Sequence, residues 1–114
     1  MDYEKTIYWY QKAAEAGNAD GQNNLGLRYE IGWGVAVDCE KAFYWYKKAA
    51  EAGCANGEYN LARCYENGWG TEVNINQSKV WFKKSAKQGD KHAAKNLKEL
   101  KKSHKSLFKI WKKD

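Results

Sequence analysis

A spacing of 36 residues separates Trp9, Trp45 and Trp81, and it recurs through the chain. It also separates Ala14, Ala50 and Ala86, then Gly17, Gly53 and Gly89, then Leu25, Leu61 and Leu97. Residues 7–42 and 43–78 align without a gap and agree at 19 of 36 positions, so the period is a property of the whole unit. Such a period marks an array of small supersecondary units and restricts the fold more than any local motif. One unit cannot bury its apolar side alone, so units must stack, and about three are needed for stability. Two copies are complete. The third departs after Leu97, where Lys101 follows Tyr29 and Tyr65, and where Gly32-Trp33-Gly34 and Gly68-Trp69-Gly70 have no counterpart.

Each unit reads as a helix pair. Ala42, Trp45, Tyr46, Ala49 and Ala50 recur at helical spacing on one side of a segment that Asp38 can cap. Gly53 suits the left-handed residue just past its end. A second helix spans about Ala55 to Asn67, with Leu61 and Tyr65 one turn apart, and Gly68-Trp69-Gly70 breaks it. The chain contains no proline, where average usage of ~5% would supply about six, so nothing interrupts these helices. The periodicity predicts an all-α solenoid with helices near 3–16, 19–31, 39–52, 55–67, 75–88 and 91–113.

Trp9-Tyr10-Gln11-Lys12-Ala13-Ala14-Glu15-Ala16-Gly17, followed by Asn24-Leu25-Gly26-Leu27-Arg28-Tyr29-Glu30-Ile31-Gly32-Trp33-Gly34, resembles the Sel1-like repeat, a relative of the tetratricopeptide repeat. The resemblance covers about residues 2–97, with Ser85 replacing the first alanine of the third copy. It implies a right-handed α-solenoid of 36-residue helix-turn-helix repeats that holds proteins or peptides together. Residues 1–97 are then the repeats, and residues 98–114 a lysine-rich capping helix.

The formal charge of +6 is divided unevenly. Residues 1–78 carry 7 Lys and Arg against 11 Asp and Glu; residues 79–114 carry 13 against 3. The basic end therefore either solubilises the chain or meets an anionic partner. At ~100° per residue, Leu97, Leu100, His104, Leu107, Phe108 and Trp111 form one stripe. Lys91, Lys95, Lys98, Lys101, Lys102, Lys105, Lys109, Lys112 and Lys113 lie in another sector, which predicts a helix docked on the third repeat with a basic face outward. The same face would suit nucleic acid or an acidic membrane, the alternative reading of this chain.

Chemistry-bearing motifs are scarce. Cys39, Cys54 and Cys64 show no C-x-x-C spacing, and only His92 and His104 could supplement them, so neither zinc nor another cofactor is expected. The Gly-Trp-Gly elements lack the Lys and Ser/Thr of a phosphate loop, and no serine sits in a nucleophile elbow. No stretch approaches the ~18 apolar residues of a membrane span, and no apolar signal core follows Met1. These features fit a non-enzymatic cytoplasmic protein with reduced thiols.

What remains is surface. Tyr8, Tyr44 and Val80 form one ladder at repeat spacing; Gln11, Lys47 and Lys83 form a second, and Lys12, Lys48 and Lys84 a third. The resemblance places first helices on the inner, concave wall. There, aromatic anchors beside cations would suit a protein or peptide partner with apolar and acidic groups. Alternatively Tyr8 and Tyr44 wedge between helices. Asn24, Asn60 and Asn96 either clamp an extended ligand or tie one repeat to the next. Trp33 and Trp69 either fold back on the core or present two apolar hooks. The N-terminal end has no cap, since Asp2-x-x-Lys5-Thr6 matches the inter-repeat start Asp38-x-x-Lys41-Ala42, and self-association through that end is a further expectation.

Overall fold

A computed structural model describes the backbone of residues 3–112 and the side chains of residues 5–103. Six helices follow one another: α1 Tyr3–Glu15, α2 Ala19–Ile31, α3 Cys39–Glu51, α4 Ala55–Asn67, α5 Ile75–Lys87 and α6 Lys91–Lys112. The described residues contain no strand. The molecule measures 58 × 27 × 21 Å, with a radius of gyration of 15.7 Å. A compact domain of this length would have about 13 Å. Stacking in one direction explains the excess: each helix packs mainly on its neighbours in sequence, as in a solenoid.

The caps repeat with the lattice, although their residue types change. Asn18, Asp38, Cys54 and Asn74 precede α2 to α5, and each side chain accepts a hydrogen bond from the backbone N–H three residues on. Cys54 is the unusual member, its Sγ standing 3.4 Å from the Gly57 nitrogen. The second helices of the two complete repeats, α2 and α4, end on left-handed glycines, Gly32 (φ 85°) and Gly68 (φ 74°). There the chain reverses into a loop pinned twice in the same way. The N–H of Asp38 donates to the Tyr29 carbonyl at 2.9 Å, and that of Asn74 to the Tyr65 carbonyl at 2.8 Å.

The core is a line of three clusters. Ile7, Ala14 and Leu25 make the first, with Trp45 reaching in from the following repeat. Ala42, Tyr46, Ala50, Leu61 and Cys64 make the second, with Trp81 reaching in likewise. Ala62, Phe82 and Ala93 make the third, and Leu97 and Leu100 pack against it. The first part of the apolar stripe on α6 thus docks as expected. The side chains of His104, Leu107, Phe108 and Trp111 lie outside the described residues.

Burial shapes two titrations inside the second cluster. The Cys64 thiol is pushed up to about 12, mainly by burial and secondarily by the Glu30 charge. Burial, again reinforced by Glu30, also holds the Tyr46 phenol protonated well above its ordinary value. Cys39, Cys54 and Cys64 are all free thiols.

Candidate binding surface

The first helices carry their ladders on one exposed side. Tyr8 on α1 is 53% exposed and Tyr44 on α3 is 51% exposed, so neither is wedged between helices. One turn further on, a lysine returns over each ring. Lys12 Nζ lies 5.5 Å from the centre of Tyr8, and Lys48 Nζ lies 5.5 Å from the centre of Tyr44. Each tyrosine also meets the adjacent tryptophan edge to face, Tyr8 with Trp9 at 5.3 Å and Tyr44 with Trp45 at 5.0 Å. These contacts give each ring two neighbours that favour one orientation. On α5, where Val80 replaces the tyrosine, Lys84 turns instead over Trp81 at 4.4 Å. Lys47 and Lys83 are exposed beside these rungs.

Two hollows open along this side. One of about 340 Å³ is lined by Glu15, Gln22, Tyr44, Trp45 and Lys48, together with Ala14 and Gly17. The other, of about 220 Å³, is lined by Tyr8, Gln11, Lys12 and Glu15. Repeat periodicity pointed to the tyrosines and lysines. It did not point to Glu15 and Gln22, because their part in the wall depends on how α1 and α2 meet α3.

The asparagine ladder divides. Asn60 is buried, donating through Nδ2 to Asn23 Oδ1 at 2.8 Å and accepting from Arg63 Nη1 at 3.1 Å. It ties the second repeat to the first and presents nothing to a ligand. Asn24 and Asn96 are partly buried.

The loop tryptophans do not fold back into the core. Trp33 is 48% exposed and Trp69 is 37% exposed, and each carries a guanidinium over its ring. Arg28 stands 5.2 Å from the centre of Trp33, and Arg63 stands 4.9 Å from that of Trp69. The two arginines are 35 residues apart, one off the lattice, so alignment of the repeats does not pair them. Their position about one turn before each Gly-Trp-Gly is the signal that could have done so.

Lys98, Lys101 and Lys102 on α6 are exposed, while Lys105 and Lys109 lie outside the residues whose side chains are described. Among the described residues, no group of three His, Cys, Asp or Glu could hold a metal ion, and no helix is long and apolar enough to cross a membrane.

Comparison with known proteins bears on this arrangement. The Sel1 repeat pattern matches residues 2–18, 19–54 and 55–90. A protective antigen of uropathogenic Escherichia coli with an SLR fold superposes with a TM-score of 0.83 at 34% identity, over 84% of this chain. The match covers 21% of the antigen, so this chain spans about a fifth of its length. A Sel1 repeat protein from Oxalobacter formigenes gives 0.79 at 40% identity, covering 82% of this chain and 70% of that one. The cysteine-rich protein B of Helicobacter pylori gives 0.80 at 29% identity, covering 85% and 73%. No curated protein matches at a significant level.

Proposed function

Because the chain belongs to the Sel1 repeat family, we propose that it is a non-catalytic scaffold that holds a protein or peptide partner along its first helices. Proteins of this family are generally protein–protein interaction scaffolds. One observation carries the reading for this chain: the rungs Tyr8–Lys12 and Tyr44–Lys48 have similar exposure and the same 5.5 Å cation–ring distance on the first helices of successive repeats. Fixed aromatic surface loses little side-chain freedom on binding, and the lysines beside it attract acidic groups. The ligand that fits is an extended, acidic segment with apolar side chains spaced to the repeat. Lys47, Lys83 and Lys84 continue the positive edge towards α5.

Peptide arrays displayed to the intact chain test this. Acidic peptides with aromatic or aliphatic anchors should be selected, and Tyr44→Ala with Lys48→Ala should weaken their binding by at least about tenfold. Helical circular dichroism should be unchanged, since both side chains are exposed. Full binding by the double variant would remove the ladder from consideration. Collapse of binding on raising salt, with no dependence on Tyr44, would transfer the activity to the lysines of α6.

A further inference from the structure

The two junctions between repeats differ where the first helix of the later repeat ends. Gln88, just past α5, sends its side-chain amide back to the second repeat. There Nε2 donates to the Gly53 carbonyl at 2.9 Å and to Glu58 Oε1 at 2.7 Å. At the first junction the lattice equivalents of Gly53 and Glu58 are Gly17 and Gln22, and the equivalent of Gln88 is Ala52. The backbone is the same at both places, φ −85° and ψ 3° at Ala52 against φ −86° and ψ 4° at Gln88. The first junction therefore has the acceptors and lacks the amide.

Here lies the hollow of about 340 Å³ whose wall includes Gly17, Gln22, Trp45 and Lys48. Gln22 is 6% exposed, and its Nε2 donates to the Ala14 carbonyl at 3.2 Å. Its Oε1 has no hydrogen-bond partner among the described residues. A buried acceptor in that state costs free energy that an incoming donor restores. Its counterpart Glu58 is covered to the same degree, at 5% exposure, and Gln88 reaches it.

We propose that this hollow is a subsite for a primary carboxamide, the side chain of a glutamine or asparagine in the bound partner. The proposal rests on the first helices being the partner's seat, and adds the identity of one residue that the partner carries. The ligand's N–H2 takes the place that Gln88 Nε2 holds at the second junction, donating to the Gly17 carbonyl and Gln22 Oε1. Its oxygen accepts from Lys48, which shares the wall. A carboxylate has no N–H for these acceptors, and an ammonium or guanidinium brings a second cation to Lys48. Glu15, the carboxylate in the wall, already accepts from Gln11 Nε2 at 3.2 Å.

The probe is N-acetylglutamine N-methylamide, titrated into the intact protein while NMR follows the Trp45 indole and the Gln22 side-chain amide. Both resonances should shift, with half-saturation on the order of millimolar, as a fragment of this size allows. The corresponding glutamate probe should shift neither. Ala52→Gln supplies the amide from within, so the affinity should fall at least about tenfold with circular dichroism unchanged. Gln88→Ala, which strips the second junction of its amide, should give the Trp81 indole a response that it lacks in the unaltered protein. Silence of Trp45 in the unaltered protein, an equal response to the glutamate probe, or a response that survives Ala52→Gln would overturn the proposal. So would silence of Trp81 after Gln88→Ala, because the two junctions would then not be equivalent. The peptide arrays fail separately: if they select nothing while the probe still shifts Trp45, the ladder reading falls and the carboxamide site stands.

Discussion

The two junctions between repeats have the same backbone arrangement and opposite chemistry. At the first, the Tyr46 ring lies against Gly26, and its hydroxyl starts a polar chain through Glu30, Arg63 and Asn60 to Asn23. At the second, Phe82 lies in a cluster with Ala62 and offers Glu66 no hydroxyl. The hydroxyls have moved to the helix face instead. Ser78 donates to the Ala62 carbonyl at 2.9 Å and Ser85 to the Ala55 carbonyl at 2.8 Å, where the first junction has Ala42 and Ala49. A methyl added on one side is matched by an oxygen removed on the other, so the stack needs a constant volume and satisfied polar atoms rather than particular residues.

The comparison breaks most visibly at Phe82. Phe82→Ala should cost about 3–5 kcal/mol, because the ring is fully buried in the third cluster and its removal leaves a cavity there. Hydrogen exchange should then show α5 and α6 opening while α2 and α3 keep their protection. Equal loss throughout would mean that the junctions form one cooperative unit and cannot be compared separately.

A smaller effect tests the exchange of volume. A Cβ on Gly26 would stand 2.6 Å from Tyr46 Cε1, so Gly26→Ala should cost about 1–3 kcal/mol in chemical denaturation. Adding Tyr46→Phe frees the ring from Glu30 and recreates the Ala–Phe pair of the second junction, so part of the loss should return. Strict additivity in the double-mutant cycle would show that the pairing does not transfer.

The smallest effect concerns charge. Burial, reinforced by Glu99, holds the Glu66 carboxyl above its ordinary 4.5. The folded state therefore keeps this proton at pH values where the unfolded chain has lost it. Stability falls as pH rises from 4.5 through the raised value, and remains lowered above it. Glu66→Gln should remove that fall, raising stability at neutral pH by less than about 0.5 kcal/mol, since water screens much of the site. Thermal melts of the two proteins should differ at pH 7 and coincide below pH 4.5. Divergence only at the acid end would reverse the sign assigned to Glu66.

Repetition made the helices legible, because Trp, Ala and Gly at one spacing mark the faces and ends of every unit. Asp38 as a cap and Gly53 as a left-handed stop followed from residue type alone, and the structure has both. The junction chemistry was not legible. Asn23 with Asn60, and Arg63 with Glu30, join positions that differ from the period by a few residues, and only the stacking angle decides which side chains meet. The same limit applies to the candidate surface: Tyr44 and Lys48 follow from the lattice as a rung of α3, whereas the meeting of that rung with Glu15 of α1 and Gln22 of α2 in one hollow does not.

Cys64 gives the middle repeat a clock. Its thiol is buried, and with the titration held near 12 almost none of it is the reactive thiolate at neutral pH. Cys39 and Cys54 are only partly covered. An alkylating reagent thus reaches the outer two in the closed molecule and the inner one during an excursion that parts the second cluster. The lag between these reactions measures how seldom the centre of the array comes open, a delay that a partner clamped along the first helices would lengthen.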